Sequence, residues 1–425
     1  MTSATVETLS TSPTKVKALT SPGGVEAWHV ESDLVPLIAV AFTFEGGSSQ
    51  DPPDKPGVAQ MLSRLLDEGA GPYHSDAFQE RLAARAIELS FNAGNDAVGG
   101  SLKTLVKHAD EAFELMRLAL AEPRFDDDAI ERVRAQTIAG LRYQQNDPGV
   151  MATRRFFFEG FDGHPYGQPT SGTIESVAAI TRDDLAAAHR ALIARGRVKI
   201  AVVGAIDGER LAVLLDRVFG ALPQAAPLRP VEPTALLRRG ERVVVDLDVP
   251  QSVIRFGLTG VPIRDPDFIP AYVLNHILGG GAFTSRLFQE VREKRGLAYS
   301  VGTSLVSYRA AAMTWGFTAT KNERVAEALE VIQAEMAKLR HEGPTDEELK
   351  KAKDYLTGSY ALGFDTSTKI AHTLTQLNFE GLGIDYIGRR NALVAAVTQD
   401  DIRRAAERTL GDGRMLVVVA GRPVF

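Results

Sequence analysis

Eight histidines, at positions 29, 74, 108, 164, 189, 276, 341 and 372, set the first limit on the chemistry open to this chain. No two of them are three or four residues apart. No helix can therefore turn two imidazoles to one face and share a metal between them. Cysteine is absent, which removes disulfides, thiol nucleophiles and thiolate metal sites. No Gly-x-Ser-x-Gly elbow occurs, and no serine has an evident histidine partner.

Two stretches of the second half retain polar groups or glycines in a pattern of interest. In REKRGLAYS, residues 292–300, Arg292 offers several fixed N–H donors and Tyr299 one rotatable donor. Spacing alone describes these as a solvated helix charge and a half-buried strand aromatic. Upstream, Gly279, Gly280 and Gly281 open GGGAF, ahead of the helix expected to carry Phe288 and Arg292. Three glycines before a helix could cradle a phosphate. No Lys-Ser/Thr pair follows, so a tight turn or a loop facing a cavity is the expectation. His276, just before them, is expected in the core. In the first half, SFNAGNDAVGGSLKTL (90–105) places Gly99 and Gly100 where another backbone could approach, or where an ordinary strand carries a bulge.

The elements that must position these residues follow from length and repetition. A chain of 425 residues exceeds one ordinary core, so two or more domains are expected. A formal net charge of -6 argues against nucleic acid as the main partner. No apolar run is long enough to span a membrane. The N-terminal MTSATVETLSTSPTK lacks a signal-peptide pattern. That leaves a cytoplasmic default, or a periplasmic one if a signal has been removed. VPLIAVAFTFEGGSSQDP from Val35 aligns without a gap to VPQSVIRFGLTGVPIRDP from Val249. AAITRDDLAAAHRALIARGRVKIAVVG from Ala178 aligns likewise to AAVTQDDIRRAAERTLGDGRMLVVVAG from Ala395. Two long matches in the same order, at offsets of 214 and 217 residues, indicate two homologous halves.

Each half opens on strands (Leu37 to Phe44; Val243 to Leu247 and Val253 to Leu258), continues through helices, and closes on a β-branched strand (Val198 to Val203; Leu416 to Val419). Apolar residues at helical spacing, such as Ala112, Phe113, Met116 and Leu120, mark the helices, and Thr345 with Glu348 forms a capping box. The expected fold is α+β: two homologous domains, residues 1–222 and 234–425, each a sheet covered by helices. PQAAPLRPVEP, residues 223–233, reads as the linker.

The order of motifs resembles the insulinase/pitrilysin family of zinc peptidases, in particular its two-subunit, mitochondrial-processing-peptidase-like branch. The resemblance rests on the helix after DPPDKPGVA, on GHPYGQPTSGTIESVAAITRDDL and on GGGAFTSRLFQEVREKRGLAYSVG, and runs from about residue 20 onward. It implies two halves forming half of a clamshell. It also implies, in an active chain, an HxxEH helix on which two histidines bind Zn²⁺ and the glutamate acts as base on a metal-bound water. Here that motif falls on Gln60, Ser63 and Arg64, and the third-ligand position falls on Gly140. All four chemical positions are lost. Arg64 cannot ligate zinc; its charge could stand in for part of the metal's, paired with Asp67 or Glu68, or simply be a surface arginine.

The resemblance gives Arg292 and Tyr299 a role as donors to a peptide carbonyl near the cleaved bond, and places the strand carrying Gly99 and Gly100 at the chamber edge, where substrate adds as a further strand. It thus implies an inactive, substrate-binding chain, with no metal or other cofactor of its own. A heterodimeric partner would carry HxxEH and the zinc, and peptide would be the common substrate. A structural or assembly subunit that kept the fold and lost peptide handling is the alternative.

Overall fold

Val-, Ile- and Phe-rich runs recur in the same order in both halves and become strands in the same order. The computed structural model describes residues 16–225 and 228–425. The N-terminal MTSATVETLSTSPTK, and Ala226 and Pro227 of the expected linker, lie outside the described residues. The first half carries strands β1 (Lys17–Thr20), β2 (Glu26–Glu31), β3 (Leu37–Glu45), β4 (Gly69–Ala70), β5 (Tyr73–His74), β6 (Glu88–Ala93), β7 (Ala97–Leu105) and β8 (Val198–Gly204). Its helices are α1 (Val58–Leu65), α2 (Ser75–Ala84), α3 (Ala109–Ala121), α4 (Asp127–Gln144), α5 (Pro148–Gly160), α6 (Ile174–Ala179), α7 (Arg182–Leu192) and α8 (Gly208–Phe219). The second half carries β9 (Arg242–Asp246), β10 (Gln251–Thr259), β11 (Ala298–Ser307), β12 (Ala312–Lys321) and β13 (Leu416–Gly421). Its helices are α9 (Phe268–Asn275), α10 (Val325–Glu342), α11 (Asp346–Gly358), α12 (Ser367–Phe379), α13 (Tyr386–Ala396) and α14 (Gln399–Thr409).

The two main sheets have matching topology. The first runs β1-β2-β8-β3-β7-β6 and the second β9-β13-β10-β12-β11. In each, one pair is parallel (β2 with β8, β9 with β13) and the remaining pairs are antiparallel. Only β1 has no counterpart. The repeated TRDD and TQDD sequences become equivalent capping boxes, Thr181 with Asp184 at the start of α7 and Thr398 with Asp401 at the start of α14. The expected box at Thr345 and Glu348 also forms.

Gly99 and Gly100 differ from the expectation. They lie on β7, which is paired on both sides, to β3 and to β6; the edge strand is β6. The physical reason is a phenylalanine. A Cβ on Gly100 would meet the Phe42 ring at 2.6 Å and the Ser90 carbonyl at 2.5 Å. The second sheet repeats the device: a Cβ on Gly316 would meet the Phe256 ring at 2.1 Å. These glycines make room for a core ring from the neighbouring strand, rather than for an incoming peptide.

Each sheet buries both faces, and the second face is covered by the other half. Ile38, Val40, Phe42 and Phe44 face the helices of their own half, whereas Ala39, Ala41, Ala201 and Val203 face α12 from the second half. Alanine on that face lets the helix come close, and the Thr375 hydroxyl reaches the Ala41 carbonyl at 3.1 Å. Reciprocally, α5 of the first half lies on β13 and β10, with Ala152 and Phe156 against Leu416, Val418 and Ala420. Arg255 of β10 donates to the Thr153 hydroxyl of α5 at 2.9 Å.

The connection between the halves is pinned. The Arg229 guanidinium donates to the carbonyls of Gln50 and Asp51 at 2.5 Å each, and the Thr234 N–H donates to the Ala310 carbonyl at 2.7 Å. Phe156 is completely buried, in contact with Gly257 of the opposite half. Phe156→Ala should therefore cost about 3–5 kcal/mol. In denaturant the two halves of this variant should still unfold in one transition. Two separated transitions in the unaltered chain itself would show that the exchanged helices do not couple them.

Candidate functional site

Helix α1 is short, and its start is fixed by a half-buried carboxylate. Asp51 accepts from the Gly57 and Ala59 N–H groups at 2.8 Å each. Burial pushes its carboxyl up to about 7, against the opposing pull of those N–H groups and of Arg229. Gly57 has φ +104, and a Cβ there would meet the backbone of Gly172 at 3.0 Å. Val58, Met61, Leu62 and Leu65 are buried, as their spacing predicts.

The positions that correspond to the zinc motif bind one another and the neighbouring helix. The Ser63 hydroxyl donates to the Gln60 carbonyl at 2.9 Å. Arg64 is exposed and donates to the Thr137 hydroxyl of α4 at 3.0 Å. This corrects the pairing expected for Arg64. Glu68 is held instead by Arg132 at 2.5 Å and by the Ser75 hydroxyl at 2.5 Å, and the Asp67 backbone carbonyl accepts from Gln79. Gly140 is exposed on α4, one turn beyond Thr137, and open space surrounds the place where its Cβ would be. Thr137 was not legible from the sequence as Arg64's partner. Its only signal is that it stands three residues before Gly140 on the same helix.

Zinc does not fit here. The donors are an amide, a hydroxyl already bonded to a carbonyl and a cation, with no carboxylate or imidazole among them. Among the described residues, no three histidine, aspartate or glutamate side chains converge anywhere as a metal site.

The second half brings Arg292 and Tyr299 together. Phe288 and Arg292 lie on a π-helical segment, Phe288–Glu293, and Tyr299 on the edge strand β11. The Arg292 guanidinium sits 4.7 Å from the Tyr299 ring centroid and 4.7 Å from that of Phe288. Tyr299 is 82% exposed, and the carboxylate recorded near Arg292 is that of Glu293, at 3.7 Å. Both rings are thus within cation–π range of the guanidinium, a contact that holds the cation through its π faces rather than by consuming its N–H donors. Phe283, 67% exposed, packs edge-on against Phe288 at 5.0 Å and extends the aromatic surface. Neither phenylalanine's part in the stack is readable from sequence, because a π-helical turn displaces side chains from the ordinary helical period.

Gly279, Gly280 and Gly281 form a packed turn. His276–Gly280 is π-helical, and a Cβ on Gly279 would meet the Thr303 hydroxyl of β11 at 2.6 Å. One on Gly281 would meet the His276 carbonyl at 2.6 Å. His276 is buried as expected, stacked on Tyr355 at 5.0 Å, and burial lowers its pKa.

Fold and site together define a class: a duplicated α+β chain that keeps the helix of a metallopeptidase without its ligands. Residues 30–174 match the model of the insulinase family, peptidase family M16, and residues 179–356 match that of the peptidase M16 inactive domain. The chain belongs to this family. Its relatives include a non-peptidase homologue from Helicobacter pylori, 26% identical over 84% of this chain and 83% of that protein. An uncharacterized zinc protease from Streptomyces coelicolor is 26% identical over 95% of this chain and 89% of its own length. Among solved structures, a peptidase M16 inactive domain from Pseudomonas fluorescens superposes with a TM-score of 0.88 at 27% identity, over 96% of this chain and 98% of that one.

Two measurements test the site. Combining Gln60→His, Ser63→Glu, Arg64→His and Gly140→Glu should create a zinc site, read as about one equivalent of metal by elemental analysis, with none retained by the unaltered chain. Failure of the fourfold variant to take up zinc would mean that α1 and α4 do not present these positions to a common point. For Asp51, the folded carboxyl holds its proton up to about pH 7, whereas an unfolded one does so only up to about 3.9. The folded chain binds the extra proton between those values, so this group's contribution to stability falls as pH rises from about 4 to about 7. Relative to Asp51→Asn, the melting temperature of the unaltered chain should fall across that window. A constant difference would contradict the assignment.

Proposed function

We propose that this chain is the non-catalytic, substrate-binding subunit of a two-chain zinc peptidase. A partner chain carries HxxEH and the zinc; this chain closes the chamber and presents Arg292 and Tyr299 to the peptide. One observation supports the reading above the others: a guanidinium packed against two aromatic rings, one of them an exposed tyrosine on an edge strand. A backbone carbonyl is common to every peptide, so such donors bind substrate without selecting sequence. If that carbonyl is the one attacked, they also stabilise the charge developing on it.

The absence of metal ligands on α1 fits the same division of labour. The non-peptidase description of the Helicobacter pylori relative supports the view that family members can lose catalysis and persist. The description of the Streptomyces coelicolor relative as an uncharacterized zinc protease is consistent with catalytic chains in the same family.

The test is reconstitution. The isolated chain should cut nothing, and mixing it with an HxxEH-bearing chain should yield peptidase activity. Arg292→Ala or Tyr299→Phe should then lower turnover about tenfold or more without dissociating the pair. Co-purification and peptide-cleavage assays read the two effects separately. Full turnover in both variants would remove these residues from substrate handling and leave a structural or assembly subunit as the reading.

A further inference from the structure

A cavity of ≈ 780 Å³ lies where α4, α5 and the 166–175 segment meet Val245 of β9 and the β11–β12 turn at Tyr308. Val150, Met151, Phe157 and Phe158 supply apolar walls. Polar side chains line it as well, among them Gln144, Gln145, Gln168 and Glu175, and its size is typical of pockets that hold small ligands. Its charged side chains are Arg155, Glu175 and, beside the apolar wall, Arg154. The Arg154 guanidinium donates to the Gly172 carbonyl at 2.6 Å, which uses one of its five N–H groups. Arg155, also at the cavity, differs: it is paired with Glu159 at 2.5 Å. For Arg154 no carboxylate offsets its partial burial, and desolvation alone lowers its pKa. An unpaired cation at an apolar wall is costly, and an anion brought to it recovers that cost.

We propose that this cavity binds an apolar carboxylate, with the acid on Arg154 and the apolar body against Met151, Phe157 and Phe158. Two sources share that chemistry: a free aliphatic acid and the C-terminus of an apolar peptide. The site is built from α5 of the first half together with Val245 and Tyr308 of the second, so an occupant would touch both halves at their exchanged helix. The inference does not depend on Arg292 or Tyr299.

Calorimetry on the full chain tests it with four probes: decanoate, decan-1-ol, and acetyl-Leu-Val-Phe as the free acid and as the C-terminal amide. At least one acid should bind with a Kd below about 1 mM, about tenfold tighter than its uncharged counterpart. Decanoate binding identifies the free-acid source, and binding of the tripeptide acid alone identifies a peptide C-terminus. Arg154→Gln should abolish the preference for acid while leaving the neutral probe's affinity unchanged. Met151→Trp, which narrows the cavity at its apolar wall, should weaken both. No binding by either acid, equal affinity of acid and neutral probes, or an undiminished acid preference in Arg154→Gln would each overturn the proposal. If Arg154→Gln fails to fold, the comparison of acid with neutral probe in the unaltered chain decides.

Discussion

The structure depends on an exchange of helices between its halves. Neither sheet can bury its second face with elements of its own half. The alanine-rich face of β3 and β8 waits for α12, and the Leu416, Val418 and Ala420 face waits for α5. Uncovered, each face would leave a contiguous apolar surface in water, which soluble chains rarely tolerate. The two halves are therefore one cooperative structure, even though the repeat divides the sequence cleanly. The seam is reinforced by polar contacts at its centre. The Tyr166 hydroxyl donates to Asp96 at 2.6 Å, and Asp96 accepts the Arg309 N–H at 2.9 Å. The Arg309 guanidinium in turn pairs with Glu45 at 2.6 Å.

That constraint explains why a helix with no chemistry survives. α1 is capped by Asp51, backed onto the Gly172 loop and buried along one face, so its removal would open the first core. At the zinc positions an amide, a buried hydroxyl and an exposed arginine have replaced the ligands, bonded to the helix's own backbone and to Thr137 of α4. Loss of a metal site costs little when the helix beneath it is held by packing. The Arg292–Tyr299 pair is organised differently. Its geometry comes from a π-helical turn and an edge strand, with Phe288 buried beneath Arg292 and Tyr299 exposed at the surface.

Much of the fold was legible because its signals are local and occur twice. The strands at Leu37 and Val253, the capping boxes at Thr345 and in the repeated Thr-x-x-Asp turns, and the buried face of α1 each follow from periodicity or side-chain chemistry within a few residues. The errors came from contacts distant in sequence. Gly99 and Gly100 suggested an open edge, yet Phe42 from β3 fills the space above Gly100, and β6 closes the sheet outside it. Arg64 suggested a partner one helical turn away, yet it reached Thr137, 73 residues along the chain.

The sequence by itself determined that the chain is duplicated, that its halves are α+β, and that no helix can present paired histidines. These are properties of residue type and spacing, and no folding arrangement can undo them. Only the tertiary structure decided which half covers which sheet, what occupies the place of the missing metal ligands, and that Arg292 packs against two rings. Those outcomes depend on side chains brought together across long stretches of chain, where packing and desolvation choose among partners that the local sequence leaves equivalent.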